Sequence, residues 1–196
     1  MAKSEVHALS TPQERILEAL RQIALIVGGA LLVAVCAQKG SISLMPLTPV
    51  PLTMQNFAVL LVGLLLGSRR GFAAMMLYLV AGVAGFPVFS AGGPGGMGQL
   101  FGGVTGGFLL AYPFVAFIAG YVFERGTRTF ARAVIAAVLA EALLFAAGLC
   151  WLYAFTHSLA KAAYIGLYWF VAAEVIKVMV AAGIASRWRR LSSRPE

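Results

Sequence analysis

Gln55-Asn56-Phe57-Ala58-Val59-Leu60-Leu61-Val62-Gly63-Leu64-Leu65-Leu66-Gly67 is apolar after its first two residues, and Ser68-Arg69-Arg70-Gly71 follows it directly. The run carries no formal charge and reads as an apolar helix, short for a full span. A second apolar run, Gly71 to Gly85, starts just beyond the arginines. Two such runs joined by a tight Ser68-Arg69-Arg70 turn predict a membrane hairpin whose basic turn is cytoplasmic. Each run reaches roughly 20 to 23 Å, against about 30 Å of hydrocarbon. Their outer ends must therefore continue as something other than lipid-exposed helix.

Working outward, further apolar runs cover residues 16–38, 106–123, 133–155 and 164–186. With 55–67 and 71–85 they predict an all-α membrane protein of six transmembrane helices, a single integral domain over residues 1–196. The composition agrees: of 196 residues, 61% are hydrophobic and 11% charged, with a mean hydropathy of +0.89. A soluble domain carries about 25% charged residues, and one aqueous core of this size cannot bury so much apolar surface. Disorder needs the opposite composition. Thr11-Pro12-Gln13-Glu14 is a capping box with proline at the first helical position, so it starts the first helix. No short apolar segment with a small-residue cleavage pattern precedes it, and the first helix is expected to be retained.

The net charge of +8 comes from 15 basic residues against seven Glu and no Asp. Six spans place Lys3, Arg15 and Arg21, then Arg69 and Arg70, then Arg125, Arg128 and Arg132, then Arg187, Arg189, Arg190 and Arg194 on one side. Lys39 and Lys161 fall on the other. This asymmetry predicts cytoplasmic N and C termini. Basic residues scattered over four segments give no basis for nucleic-acid binding. Cys36 and Cys150 lie inside apolar runs and read as buried small hydrophobes.

The loop 39–53, broken by Gly40, Pro46, Pro49 and Pro51, and the glycine-rich stretch 86–107 then share the outer face. The second is too apolar for a solvated linker. Irregular backbone at membrane depth is tolerated where it lines a cavity or is buried by protein, so this stretch is expected to line a binding cavity. Gly93-Pro94-Gly95-Gly96-Met97-Gly98 fits G-x-G-x-x-G, but it lacks the strand and acidic residue of a dinucleotide site. There is no phosphate-binding G-K-[ST] loop, no metal-ligand cluster (His7 and His157 are isolated) and, with no Asp, no Ser–His–Asp triad.

Charges within spans are costly and tend to face an interior or a cavity. Glu141 lies in the fifth span, Glu174 and Lys177 in the sixth. Glu174 and Lys177 are three apart and share a helix face. They can form an ion pair that only fixes packing, or one that also offers an acceptor and a donor to a polar ligand. Glu141 reads as a cavity residue, as a protonated carboxyl or as a partner for another span. Ala30 and Ala34 form a small-xxx-small pair on the first helix, a spacing that serves partner docking or ordinary packing.

Pro49-Val50-Pro51-Leu52-Thr53-Met54-Gln55, Ala58-Val59-Leu60-Leu61 and Leu66-Gly67-Ser68-Arg69-Arg70-Gly71 closely resemble the BioY family, the biotin-specific substrate-capture (S) components of energy-coupling-factor (ECF) transporters. A second block also matches: Gly85-Phe86-Pro87-Val88-Phe89, the glycine loop and Thr105-Gly106-Gly107-Phe108-Leu109-Leu110. Gly148-Leu149-Cys150-Trp151-Leu152 and Glu174-Val175-Ile176-Lys177 follow in the expected order. The resemblance covers about residues 16 to 186. Where the family usually has Pro-Gly-Asp, this chain has Ala172-Ala173-Glu174.

The resemblance implies an S-component-like six-helix bundle in the bacterial plasma membrane, surrounded by lipid. It would capture biotin from the outer face without catalysis, cofactor or metal, and partner ATPases with a membrane coupling protein would supply energy. It further suggests Glu174 as acceptor for the ureido N–H groups and Lys177 as donor to the ureido carbonyl. Thr53 or Gln55 would take the valerate carboxylate, and Phe89 and Trp151 would flank the thiophane ring. Glu141 is a further candidate contact, and Ala30 and Ala34 the docking face. Two other readings stay open: an S component for a different small vitamin, and an intramembrane enzyme using Glu141 and Glu174 as acid and base.

Overall fold

The computed structural model describes residues 11–89 and 95–192, the last four of these by backbone alone. Lys3, His7, residues 90–94 of the glycine-rich stretch, Arg194 and the side chains of Arg189 and Arg190 lie outside the described residues.

The first helix, α1 (Pro12–Lys39), opens with the capping box read from the sequence. Thr11 Oγ1 accepts from the Glu14 N–H at 3.3 Å, and the Glu14 carboxylate accepts from the Thr11 N–H at 2.8 Å. The chain then turns back through a two-stranded antiparallel ladder, β1 (Ser41–Ile42) and β2 (Leu52–Thr53), with Ser41 opposite Thr53. The prolines of the 39–53 loop bar a helix there, and the ladder satisfies backbone groups that the loop would otherwise leave unpaired. α2 (Gln55–Leu66) and α3 (Ser68–Val83) follow.

The expected Ser68-Arg69-Arg70 turn is corrected by the structure: those residues are the first turn of α3. The reversal is made at Gly67 alone, at φ +88°, a conformation that strains any residue with a Cβ. The new helix start is held by Glu124, whose Oε2 accepts from the Ser68 N–H at 3.2 Å and from its hydroxyl at 2.8 Å. A carboxylate at a helix N-terminus meets orphan N–H groups and the positive end of the dipole.

The glycine-rich stretch holds a short helix, α4 (Met97–Gly102), before α5 (Gly106–Glu124) and α6 (Phe130–Thr156). The predicted sixth span is also corrected. It begins earlier, as α7 (Leu159–Ala163), so Lys161 is helical rather than in a loop. It loosens into a π turn over Tyr164–Tyr168 and resumes as α8 (Val171–Ser192), bent by 47°. An unbroken run of apolar and aromatic residues conceals such a bend, because no residue in it has the wrong polarity.

Among the described residues, α1, α5 and α6 are long and apolar enough to cross a bilayer. The α7–α8 pair makes a fourth crossing if it is one span. With 12 and 16 residues, α2 and α3 reach about 18 and 24 Å, short of the hydrocarbon thickness.

The core forms where α5 packs against α6, α3 and α2. Small residues bring the helices close: a Cβ on Gly63 of α2 would lie 2.4 Å from the Ala116 carbonyl oxygen of α5. The outer face of α1 is the reverse of a soluble surface, with Ile16, Leu17, Leu20, Ile23, Leu31 and Val35 exposed. Ala30 is buried in the chain's own core and Ala34 is packed against it. The small pair therefore faces the bundle.

Candidate functional site

A cavity opens between the β2 segment, the starts of α2, α5 and α8, and the inner side of α6. Its atom-free space is about 600 Å³, the open mouth included. Apolar walls come from Val50, Phe89, Phe108, Leu144, Phe145 and Phe170, and polar groups from Thr53, Gln55, Asn56, Thr105, Tyr112 and Glu174. A mostly apolar pocket with a few convergent polar groups is the usual form of a small-ligand site.

The local sequence explains why these groups converge. The hairpin ends at Thr53 and α2 begins two residues later, so Gln55 and Asn56 stand in its first turn, at the level where α8 also starts. Gln55 Nε2 donates to the Tyr78 hydroxyl at 2.6 Å and to the Phe89 carbonyl at 2.8 Å, while Tyr78 donates to the Val88 carbonyl at 2.9 Å. These bonds pin the segment after α3, so that Phe89 forms one wall, edge-on to Tyr78 with ring centroids 5.6 Å apart. Thr48 ties the hairpin loop to the π turn by donating to the Ile165 carbonyl at 2.6 Å.

Asn56 joins the two intramembrane carboxylates. Its Nδ2 donates to Glu141 Oε1 at 2.5 Å and to Glu174 Oε2 at 2.8 Å. The other Glu174 oxygen accepts from Lys177 Nζ at 2.7 Å, and the ammonium also donates to the Thr53 carbonyl at 2.7 Å. The bend before α8 sets Glu174 in that helix's first turn, where the dipole favours a carboxylate. Among the described side chains, three buried polar atoms lack a partner: Asn56 Oδ1, Glu141 Oε2 and Trp169 Nε1. Asn56 Oδ1 belongs to a cavity-lining residue, and an orphan acceptor there invites a donor from whatever fills the cavity.

The residues singled out from the sequence divide accordingly. Thr53, Gln55, Phe89 and Glu174 line the cavity. Glu141 stands behind Asn56 and outside the lining. Lys177 is also outside it, its ammonium directed to Glu174 and the hairpin. Trp151 is elsewhere: its Nε1 donates to the Gly103 carbonyl at 3.0 Å, and its ring packs on Gly106 and Gly107. An acid–base pair needs both groups within reach of one substrate. With only Glu174 on the wall, this geometry does not support the enzyme reading. Sequence reasoning missed Asn56, Tyr112, Thr105, Phe108, Phe145 and Phe170. Asn56 had a usable signal, a second amide entering an uncharged run, and Phe108 with Tyr112 had i, i+4 spacing. The remaining phenylalanines had none.

Comparison with known proteins gives a consistent result. The model of the BioY family matches residues 5–194. A protein of Pyrococcus horikoshii named a probable biotin transporter BioY is 35% identical over 81% of this chain and 91% of its own length. The biotin transporter BioY of Thermotoga maritima is 37% identical over 74% of this chain and 85% of its own. The crystal structure of the S-component for biotin from an ECF-type ABC transporter superposes with a TM-score of 0.79 at 22% identity, covering 92% of this chain and 95% of that one. At that identity the superposition speaks for the fold, which is that of an S component. The chain belongs to the BioY family.

Proposed function

We propose that this chain is the biotin-capturing S component of an ECF transporter. It would cross the bacterial plasma membrane six times, with both termini cytoplasmic and the cavity open to the outer face. Two relatives that it matches over most of their length are named for biotin transport.

The observation that carries the assignment is the wall formed by Asn56 and Glu174. Asn56 Oδ1 is a buried acceptor with no donor, beside a carboxylate whose oxygens keep spare lone pairs. A ureido ring brings two N–H donors to such a wall. Phe89, with Phe108 and Phe145 in place of Trp151, gives the thiophane ring an apolar seat, and the Thr53 and Thr105 hydroxyls suit the valerate carboxylate. Lys177 supports Glu174 in this arrangement instead of meeting the ligand. Energy would come from a coupling membrane protein and ATPase subunits, with the uncovered outer face of α1 as the docking side. No residue of the pocket has to break a bond, so biotin should be recovered unchanged.

Equilibrium binding of labelled biotin to the purified protein tests this. One biotin per chain is expected. Glu174→Gln and Asn56→Leu should each weaken binding at least about tenfold, the worth of a hydrogen bond to a charged or buried group. Unchanged affinity in both variants would reject the site, and a wild-type chain that does not bind biotin would reject the function.

A further inference from the structure

We propose that Glu141 is a positioning residue that sets the polarity of the pocket: it holds the Asn56 carboxamide with its oxygen toward the ligand, so that the wall accepts N–H donors and rejects acceptors. This rests on reading the cavity as a ureido site.

The geometry is specific. A carboxamide has two N–H groups and one oxygen in a plane. Both N–H groups of Asn56 are taken, one by Glu141 of α6 and one by Glu174 of α8. Two anchors on one planar group fix its rotation and leave Oδ1 as the atom of that group without a partner. Turned the other way, Oδ1 would point at carboxylate oxygens, and with both carboxylates ionised neither could donate to it. With Glu174 alone, the amide keeps one anchor and can swing an N–H into the cavity. Asn56 is 5% exposed and Glu141 6% exposed, so water does not offer the missing bond.

Glu141 does not line the cavity, so its effect reaches the ligand through Asn56. A site with a fixed, buried, unpaired acceptor discriminates strongly between a ligand that supplies an N–H and one that cannot. The class of ligand selected is a cyclic urea or another compound with N–H donors on one edge. Glu141 therefore acts on which ligand binds more than on how tightly the apolar ring is held.

The test compares affinities for biotin and for biotin methylated on a ureido nitrogen, by calorimetry on the purified full chain. Wild type should prefer biotin. Glu141→Leu should lower that preference about tenfold, one hydrogen bond's worth of discrimination. Glu141→Gln should restore it, because Gln Oε1 can accept the same N–H. A purely structural role would weaken both ligands alike and leave the ratio unmoved, which would overturn the proposal. If Glu141→Leu does not fold, Glu141→Met is judged by the same ratio. A wild-type chain that ignores biotin overturns the proposed function and this inference with it. A wild type that prefers biotin, with the ratio unchanged in the apolar variant, overturns this inference alone.

Discussion

Lys177 and Glu174 are 7% and 8% exposed and 2.7 Å apart. A buried ion pair adds little net stability, because desolvation offsets the attraction, but removing one partner strands the other. Lys177→Met leaves a carboxylate with only the Asn56 N–H and frees the Thr53 carbonyl that the ammonium had engaged. The cost should be on the order of 3 kcal/mol, read as a lowered Tm in detergent. Adding Glu174→Gln removes the stranded charge, so the double variant should melt above Lys177→Met. A lower melting point for the double variant would mean that the pair is not what holds this end of α8. The pair was visible in the sequence, since two opposite charges three apart in an apolar run stand out. Its geometry was not: the Thr53 carbonyl becomes an acceptor through the hairpin, and backbone groups leave no trace in composition. Asn56 was passed over because a neutral amide at the head of an apolar run looks like a helix boundary.

At the scale of elements, one close approach positions the cavity wall and another shapes the α2–α3 turn. Gly82 in α3 faces the Phe89 ring, and a Cβ there would lie 2.0 Å from its nearest atom. Alanine suits a helix interior better than glycine by roughly 0.5–1 kcal/mol, so Gly82→Ala should keep α3 intact. It must push Phe89 out of its place against Tyr78. The expected result is a folded protein whose biotin affinity falls severalfold, and unchanged affinity would show that the Phe89 wall is not part of the site. At Gly67 the penalty is structural. A Cβ would meet Glu124 Oε1 at 1.8 Å, on a backbone already at φ +88°. Gly67→Ala should therefore cost on the order of 2 kcal/mol and lower the Tm, with Glu124→Ala giving a smaller loss of the same kind. The sequence placed the α2 and α3 runs correctly but put their junction in the arginines. Polarity suggested a turn there, whereas what decides it is a left-handed glycine and a carboxylate that caps from a distant helix. The break before α8 was hidden for the converse reason, since every residue around it is apolar.

The whole molecule shows why hydropathy found six runs when, among the described residues, three helices, or four with the bent pair, have the length and character of a span. α2 stops short where the hairpin begins, and α3 where the Phe89 segment turns inward. Irregular backbone can stand at membrane depth there because it is buried in protein or lines the cavity. A short helix plus its cavity-lining extension can complete a crossing that the helix alone does not. The proposed six crossings would put the Gly67 turn, the Arg125–Thr129 connection and the end of α8 on one side with the N-terminus, and the hairpin loop on the other. Five crossings, or a hairpin that enters and leaves on one side, would break that pattern. Single cysteines decide between these arrangements, introduced at Arg70 and Arg128 for one side and at exposed Met45 for the other, with Cys36 and Cys150 replaced. In intact cells a membrane-impermeant maleimide should label the Met45→Cys chain alone, and all three after the membrane is opened. Labelling of Arg70→Cys in intact cells would place the α2–α3 turn outside. It would also undo the orientation inferred from the arginines, because the first turn of α3, beside Gly67, carries two of the basic residues on which it rests.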